Sequence, residues 1–112
     1  MDGEVARGRI EVPVACNWAA LTAEQQLRQR SLHRQLNADV EEVRELADGY
    51  AFRYSPDRVL LAIAEFVANE CLCCPFFEFG ITVERDGGPV WFRITGEGEA
   101  KRILEAEMSV GA

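Results

Sequence analysis

Phe77-Glu78-Phe79-Gly80-Ile81-Thr82-Val83-Glu84-Arg85-Asp86-Gly87-Gly88-Pro89-Val90-Trp91-Phe92-Arg93-Ile94-Thr95 decides how the chain is read. Phe77, Phe79, Ile81 and Val83 alternate with Glu78, Gly80, Thr82 and Glu84, which is the period of a strand with one buried face. Arg85 to Pro89 is dense in turn formers. Val90, Phe92 and Ile94 then restore the alternation, with Trp91, Arg93 and Thr95 on the opposite face. The segment is therefore an antiparallel hairpin, and Glu84 is expected beside Arg93 as a cross-strand ion pair.

Upstream, Val59, Ile63, Phe66, Val67 and Glu70 follow helical spacing among Ala and Leu. Ser55 is expected as the N-cap and Pro56 as the first helical residue, because proline lacks an N–H that would be unpaired there anyway. Pro75 disfavours a helical Cys74, so this helix ends near Leu72 or Cys73. Tyr50, Phe52 and Tyr54 alternate with Ala51 and Arg53 as a strand. Val40, Val43 and Leu46, spaced by three, suit either a continuing helix or a strand. Asp48-Gly49 is a hairpin signal, so we read a strand near Glu42–Leu46, a turn at Asp48-Gly49 and a strand from Tyr50 to Tyr54. Before it, Thr22 and Gln25 form a capping box. Leu32, Leu36 and Val40, with Leu27 nearby, mark the inward face of the helix that follows. Arg28, Gln29, Arg34 and Gln35 are placed on its wet face. Ile10, Val12, Val14 and Cys16 alternate as a further strand, with Pro13 confining it to an edge. Beyond Gly96-Glu97-Gly98, Glu99 to Met108 reads as a short helix with Ile103, Leu104 and Met108 inward. Residues 1–8 and 109–112 are expected to fray.

The order is strand, helix, hairpin, helix, hairpin, helix. Ala51 to Ser55 and Trp91 to Thr95 echo each other weakly, as a helix–hairpin duplication would. The fold class is α+β: a single domain over 1–112 with a largely antiparallel sheet and helices on one face. The 112 residues suit one domain. With 12 Lys and Arg against 19 Asp and Glu the net charge is −7, which repels nucleic acid and anionic membranes. No apolar run is long enough for a membrane span, and the acidic opening lacks a secretory h-region. A cytosolic location with reduced thiols is expected.

Chemistry concentrates at Glu70-Cys71-Leu72-Cys73-Cys74-Pro75-Phe76-Phe77. Three cysteines in four positions cannot staple distant loops. Cys71 and Cys74 form a C-x-x-C pair, but at a helix C-terminus, where the dipole opposes a thiolate. Of the functional readings, soft-metal binding is better than dithiol redox, for thiolates suit zinc, copper(I), mercury(II) and arsenic(III). The candidate ligands are Cys16, Cys71, Cys73 and Cys74. Closure of one tetrahedral site by all four is disfavoured, because adjacent Cys73 and Cys74 are expected to point apart. His33, among polar neighbours, is read as a solvated residue. Phosphate-binding glycine loops and zinc-protease motifs are absent, and the carboxylates, Glu107 among them, read as surface. Three alternatives stand beside metal binding: buried structural cysteines, a thiol enzyme with redox or organometal chemistry, and a metal-free homodimer using the sheet face around Trp91.

Several motifs are similar to those of a group of short, mostly uncharacterised bacterial proteins. The matching residues are Pro13 and Cys16, Leu21 to Glu24, Asp48 to Phe52, Glu70 to Phe76 with its Glu-x-x-Cys-Cys-Pro-Phe pattern, and Gly88 to Trp91. The resemblance runs from about Val12 to Leu104. It implies an association with heavy-metal handling. The group tends to have arginine at the position of Cys71, which makes Cys16, Cys73 and Cys74 the likelier shared site.

Overall fold

A computed structural model describes residues 16–111. A short 3-10 turn, Trp18–Ala20, leads into α1 (Ala23–Asp39), β1 (Glu42–Leu46), β2 (Gly49–Tyr54), α2 (Val59–Cys73), β3 (Phe77–Val83), β4 (Val90–Gly96) and α3 (Ala100–Gly111). The four strands form one antiparallel sheet in the order β1-β2-β4-β3. The α+β class and both hairpins are as the alternation implies. The expected strand over residues 10–16 lies, apart from Cys16, outside the described residues, as do the expected frayed residues 1–8. At the other end, α3 continues past Met108 to Gly111.

Phe52, Tyr54, Val90, Phe92 and Ile94 are buried on the face that carries the helices. Phe66 of α2 meets Phe92 edge to face at 6.2 Å between ring centres. Leu32 and Leu36 of α1 and Leu104 of α3 complete the core. Each such fully buried side chain contributes on the order of 1.5–3 kcal/mol. On the opposite face Arg44 lies over the Trp91 ring, 4.5 Å from its centre. The ring is thus covered by its own chain.

Thr22 caps α1 as expected: its Oγ1 accepts from the Gln25 N–H at 3.1 Å, and Gln25 Oε1 accepts from the Thr22 N–H at 2.9 Å. Several local expectations are corrected. Leu27 is 67% exposed while Gln29 is 2% exposed. The inward face of α1 runs through Gln29, Leu32 and Leu36, and Leu27 falls on another side of the helix. Helix α2 starts at Val59 rather than Pro56, with Arg58 in the left-handed region at φ 60°. The Ser55-Pro56 signal instead makes a turn ahead of the helix. In the first hairpin Leu46 pairs with Gly49, so Ala47 and Asp48 form the turn. Gly49 serves a different need: a Cβ there would collide with the Ile94 backbone of β4. In the second hairpin Arg93 pairs with Gly80 and donates to Thr82 Oγ1 at 3.0 Å, so the expected Glu84–Arg93 pair does not form. Ile81 and Val83 are more exposed than their alternation implies, because β3 is an edge strand.

Candidate metal centre

The C-terminal end of α2 carries the chemistry. Cys73 is the last helical residue, and Cys74 leaves the helix at φ −131° and ψ 64°, with its N–H still bonded to Glu70 O at 2.6 Å. Pro75 then stops the helix. This break turns the two adjacent side chains toward each other. Their sulfurs lie 3.6 Å apart, and both residues are 1% exposed. The expected divergence of Cys73 and Cys74 is therefore corrected.

A distant stretch joins them. The Asn17 N–H donates to Cys73 O at 2.6 Å, which docks the segment before the 3-10 turn onto the end of α2. Cys16 is exposed but brought into the cluster, and its thiol donates to Glu107 Oε2 of α3 at 3.2 Å. Two potential ligand groups result, each with its donor atoms within 4.8 Å of one another: Cys16, Cys74 and Glu107; and Glu70, Cys73 and Cys74. Cys74 belongs to both. Cys16 and Cys73 share no group, and Cys71, exposed, belongs to neither. The C-x-x-C pair is thus split between surface and interior.

Glu70 is 6% exposed and is held from α1. Gln29 Nε2 donates to Glu70 Oε2 and to Phe66 O, both at 3.0 Å, while Gln29 Oε1 accepts from Asn69 Nδ2 at 3.0 Å. The Cys73 sulfur is 3.8 Å from Glu70 Oε2. Burial pushes the Glu70 carboxyl up from 4.5 to about 7, against the opposing hydrogen bond from Gln29. Burial also pushes the Cys16 thiol up to about 12, helped by Glu107. The Cys74 thiol is raised further, first by its contact with Cys73, then by burial, Cys16 and the two carboxylates. Among the described residues no Lys or Arg forms an ion pair with Glu70 or Glu107. Burial and the neighbouring acids thus push Glu70, Cys16 and Cys74 toward their protonated forms. A cation reverses that balance, since it favours the deprotonated form of every ligand around it.

Beside the cluster lies a cavity of about 390 Å³ between the 3-10 turn and all three helices, and Glu70 and Glu107 form part of its wall. His33 lines it too, half-buried and stacked on Phe66 at 6.3 Å.

Sequence reasoning placed Cys16, Cys71, Cys73 and Cys74 at the site, of which Cys71 joins neither group, and passed over Glu107 and Gln29. Glu107 follows Ala100, Ile103 and Leu104 at helical spacing, so its inward position was readable from that period. The fold and cluster define a small α+β domain with a partly buried thiol–carboxylate centre. In comparisons with known proteins, no family model, curated protein or solved structure matches the chain.

Proposed function

We propose that the protein binds one soft metal or metalloid ion through Cys73 and Cys74 with Glu70 beside them, and that Cys16 and Glu107 form a second, adjoining ligand group that shares Cys74. The observation that carries this reading is the convergence of residues 16–17, the end of α2 and Glu107 of α3 into two ligand groups joined at Cys74. Metal–sulfur bonds of about 2.3 Å on sulfurs 3.6 Å apart imply a sulfur–metal–sulfur angle of about 100°. That angle suits a tetrahedral or pyramidal centre such as zinc or arsenic(III). A linear two-coordinate ion would need the sulfurs about 4.6 Å apart at the same bond length. The resemblance built on Glu70 to Phe76 points in the same direction.

The other readings have less support. A thiol nucleophile needs a lowered pKa, whereas Cys16 and Cys74 are both raised. A homodimer through Trp91 would first have to displace Arg44 from the ring.

The test is an anaerobic titration of the reduced protein with zinc(II), copper(I), mercury(II) and arsenite, followed by sulfur-to-metal charge-transfer absorption. One equivalent binds tightly, Cys74→Ser loses it and Cys71→Ser keeps it. Absence of tight binding by every ion, or unchanged binding in Cys74→Ser, overturns the reading.

A further inference from the structure

We propose that the centre is a two-metal site: Glu70, Cys73 and Cys74 hold the first ion, Cys16, Cys74 and Glu107 hold a second divalent ion of the zinc type, and the Cys74 sulfur bridges the pair. This rests on the metal-binding reading above and goes beyond the single ion named there.

Each group offers three donor atoms within 4.8 Å of one another, and the two groups have one atom in common, the Cys74 sulfur. Cys16 and Cys73 share no group, so the three sulfurs are not gathered around one point. Around a tetrahedral ion, bonds of about 2.3 Å to sulfur and about 2.1 Å to oxygen set neighbouring ligand atoms roughly 3.6–3.8 Å apart. In the first group the Cys73–Cys74 separation is 3.6 Å and the Cys73–Glu70 separation is 3.8 Å. In the second, the Cys16 thiol donates to Glu107 Oε2 at 3.2 Å. That separation grows by about 0.4 Å when a metal takes the place of the thiol proton. A thiolate sulfur has lone pairs for two metal bonds. With about 2.3 Å per bond and about 100° at sulfur, the ions stand about 3.5 Å apart, the spacing of two-metal sites. The groups differ in access: the first is buried, whereas the second includes the exposed Cys16.

The charges favour the pair. A single divalent ion on the first group leaves Cys16 and Glu107 unused. Deprotonated, the five side chains carry five negative charges against four on two divalent ions. The remainder is one negative charge, the same as for the first group with its own ion. Among the described residues no Lys or Arg ion pair competes for Glu70 or Glu107. Binding balances without a redox partner. Cys73 and Cys74 release their thiol protons to solvent with the first ion, and Cys16 releases its own with the second. The second ion binds more weakly, because the Cys74 thiolate already shares its charge with the first.

The experiment titrates cobalt(II), a coloured and paramagnetic stand-in for zinc(II), anaerobically into the reduced full chain. Thiolate-to-cobalt absorption counts the equivalents, and electron paramagnetic resonance reports whether the two ions are coupled. The wild type should take one tight equivalent and then a weaker second one. The resonance from the first should diminish as the second binds, because a shared sulfur couples the two spins. Cys16→Ala, at an exposed position, and Glu107→Gln should each lose the second equivalent, keep the first and leave its resonance undiminished. Saturation of the wild type at one equivalent overturns the inference and leaves metal binding standing. So does a second equivalent retained in both variants, or one whose resonance simply adds to the first. A wild type that takes up no cobalt, and none of the ions in the earlier titration, brings down both readings together.

Discussion

Replacing Glu70 by glutamine should change how stability depends on pH. The carboxyl is 6% exposed, and burial lifts it from 4.5 to about 7. A carboxyl raised in the folded state holds its proton longer than the unfolded chain does. As pH climbs above about 4.5 the unfolded chain releases that proton first, so the folded state binds more protons and stability falls with rising pH. The loss continues through about 7 and then levels off. Every tenfold in proton affinity is worth about 1.4 kcal/mol, so the full penalty is on the order of 3 kcal/mol, most of it incurred between pH 5 and 8. Glu70→Gln keeps an oxygen to accept from Gln29 and removes the titration. Urea unfolding of the metal-free, reduced proteins at pH 5, 6, 7 and 8 is the assay. The wild type should lose about 2–3 kcal/mol relative to Glu70→Gln across that range. A difference that stays constant with pH would refute the reasoning, because it would mean that Glu70 ionises as easily folded as unfolded.

Other changes should be equally legible. Gln29→Ala strands the Asn69 amide and removes a donor from Glu70 and Phe66, so urea unfolding should show a loss of about 2–4 kcal/mol. Thr22→Ala removes half of the capping box and should cost about 1 kcal/mol in the same assay. Gly49→Ala drives a Cβ into the Ile94 backbone, so thermal unfolding should show a lower midpoint and loosened β2–β4 pairing. Metal affinity should rise with pH from 6 to 8, since burial holds the Cys16 thiol at about 12 and Cys74 is raised as well. Each thiol proton displaced should add about tenfold per pH unit, which chelator competition across that range would measure.

What the sequence conveyed about the fold follows from how local its signals are. Alternation in Tyr50–Tyr54 and in Phe77–Thr95 specified strands because one face of each meets the core. The Thr22–Gln25 box announced the start of α1 because all its partners lie within one turn. Gln29 misled, since its burial depends on α2, and no spacing within α1 reveals that Phe66 and Asn69 stand opposite. The start of α2 misled because Ser55-Pro56 serves a turn as well as it serves a cap. At the site, residue chemistry picked out the sulfurs, while Cys16 reaches the other two through tertiary hydrogen bonds, Asn17 N–H to Cys73 O and its own thiol to Glu107. Gly49 shows the same division. Its signal marked a hairpin, but the reason for glycine is a neighbour 45 residues away, Ile94.

That Asn17 bond has a further consequence. The sheet and all three helices are built from Leu21 onward, whereas Cys16 and Trp18 come ahead of it on a short flap. Scaffold and reactivity are therefore carried by different stretches among the described residues: Cys16 and Trp18 supply one sulfur and one wall of the cavity, while the strands and helices that follow supply the frame. Variation in that flap offers a route by which the same frame changes its appetite for ligands without being rebuilt.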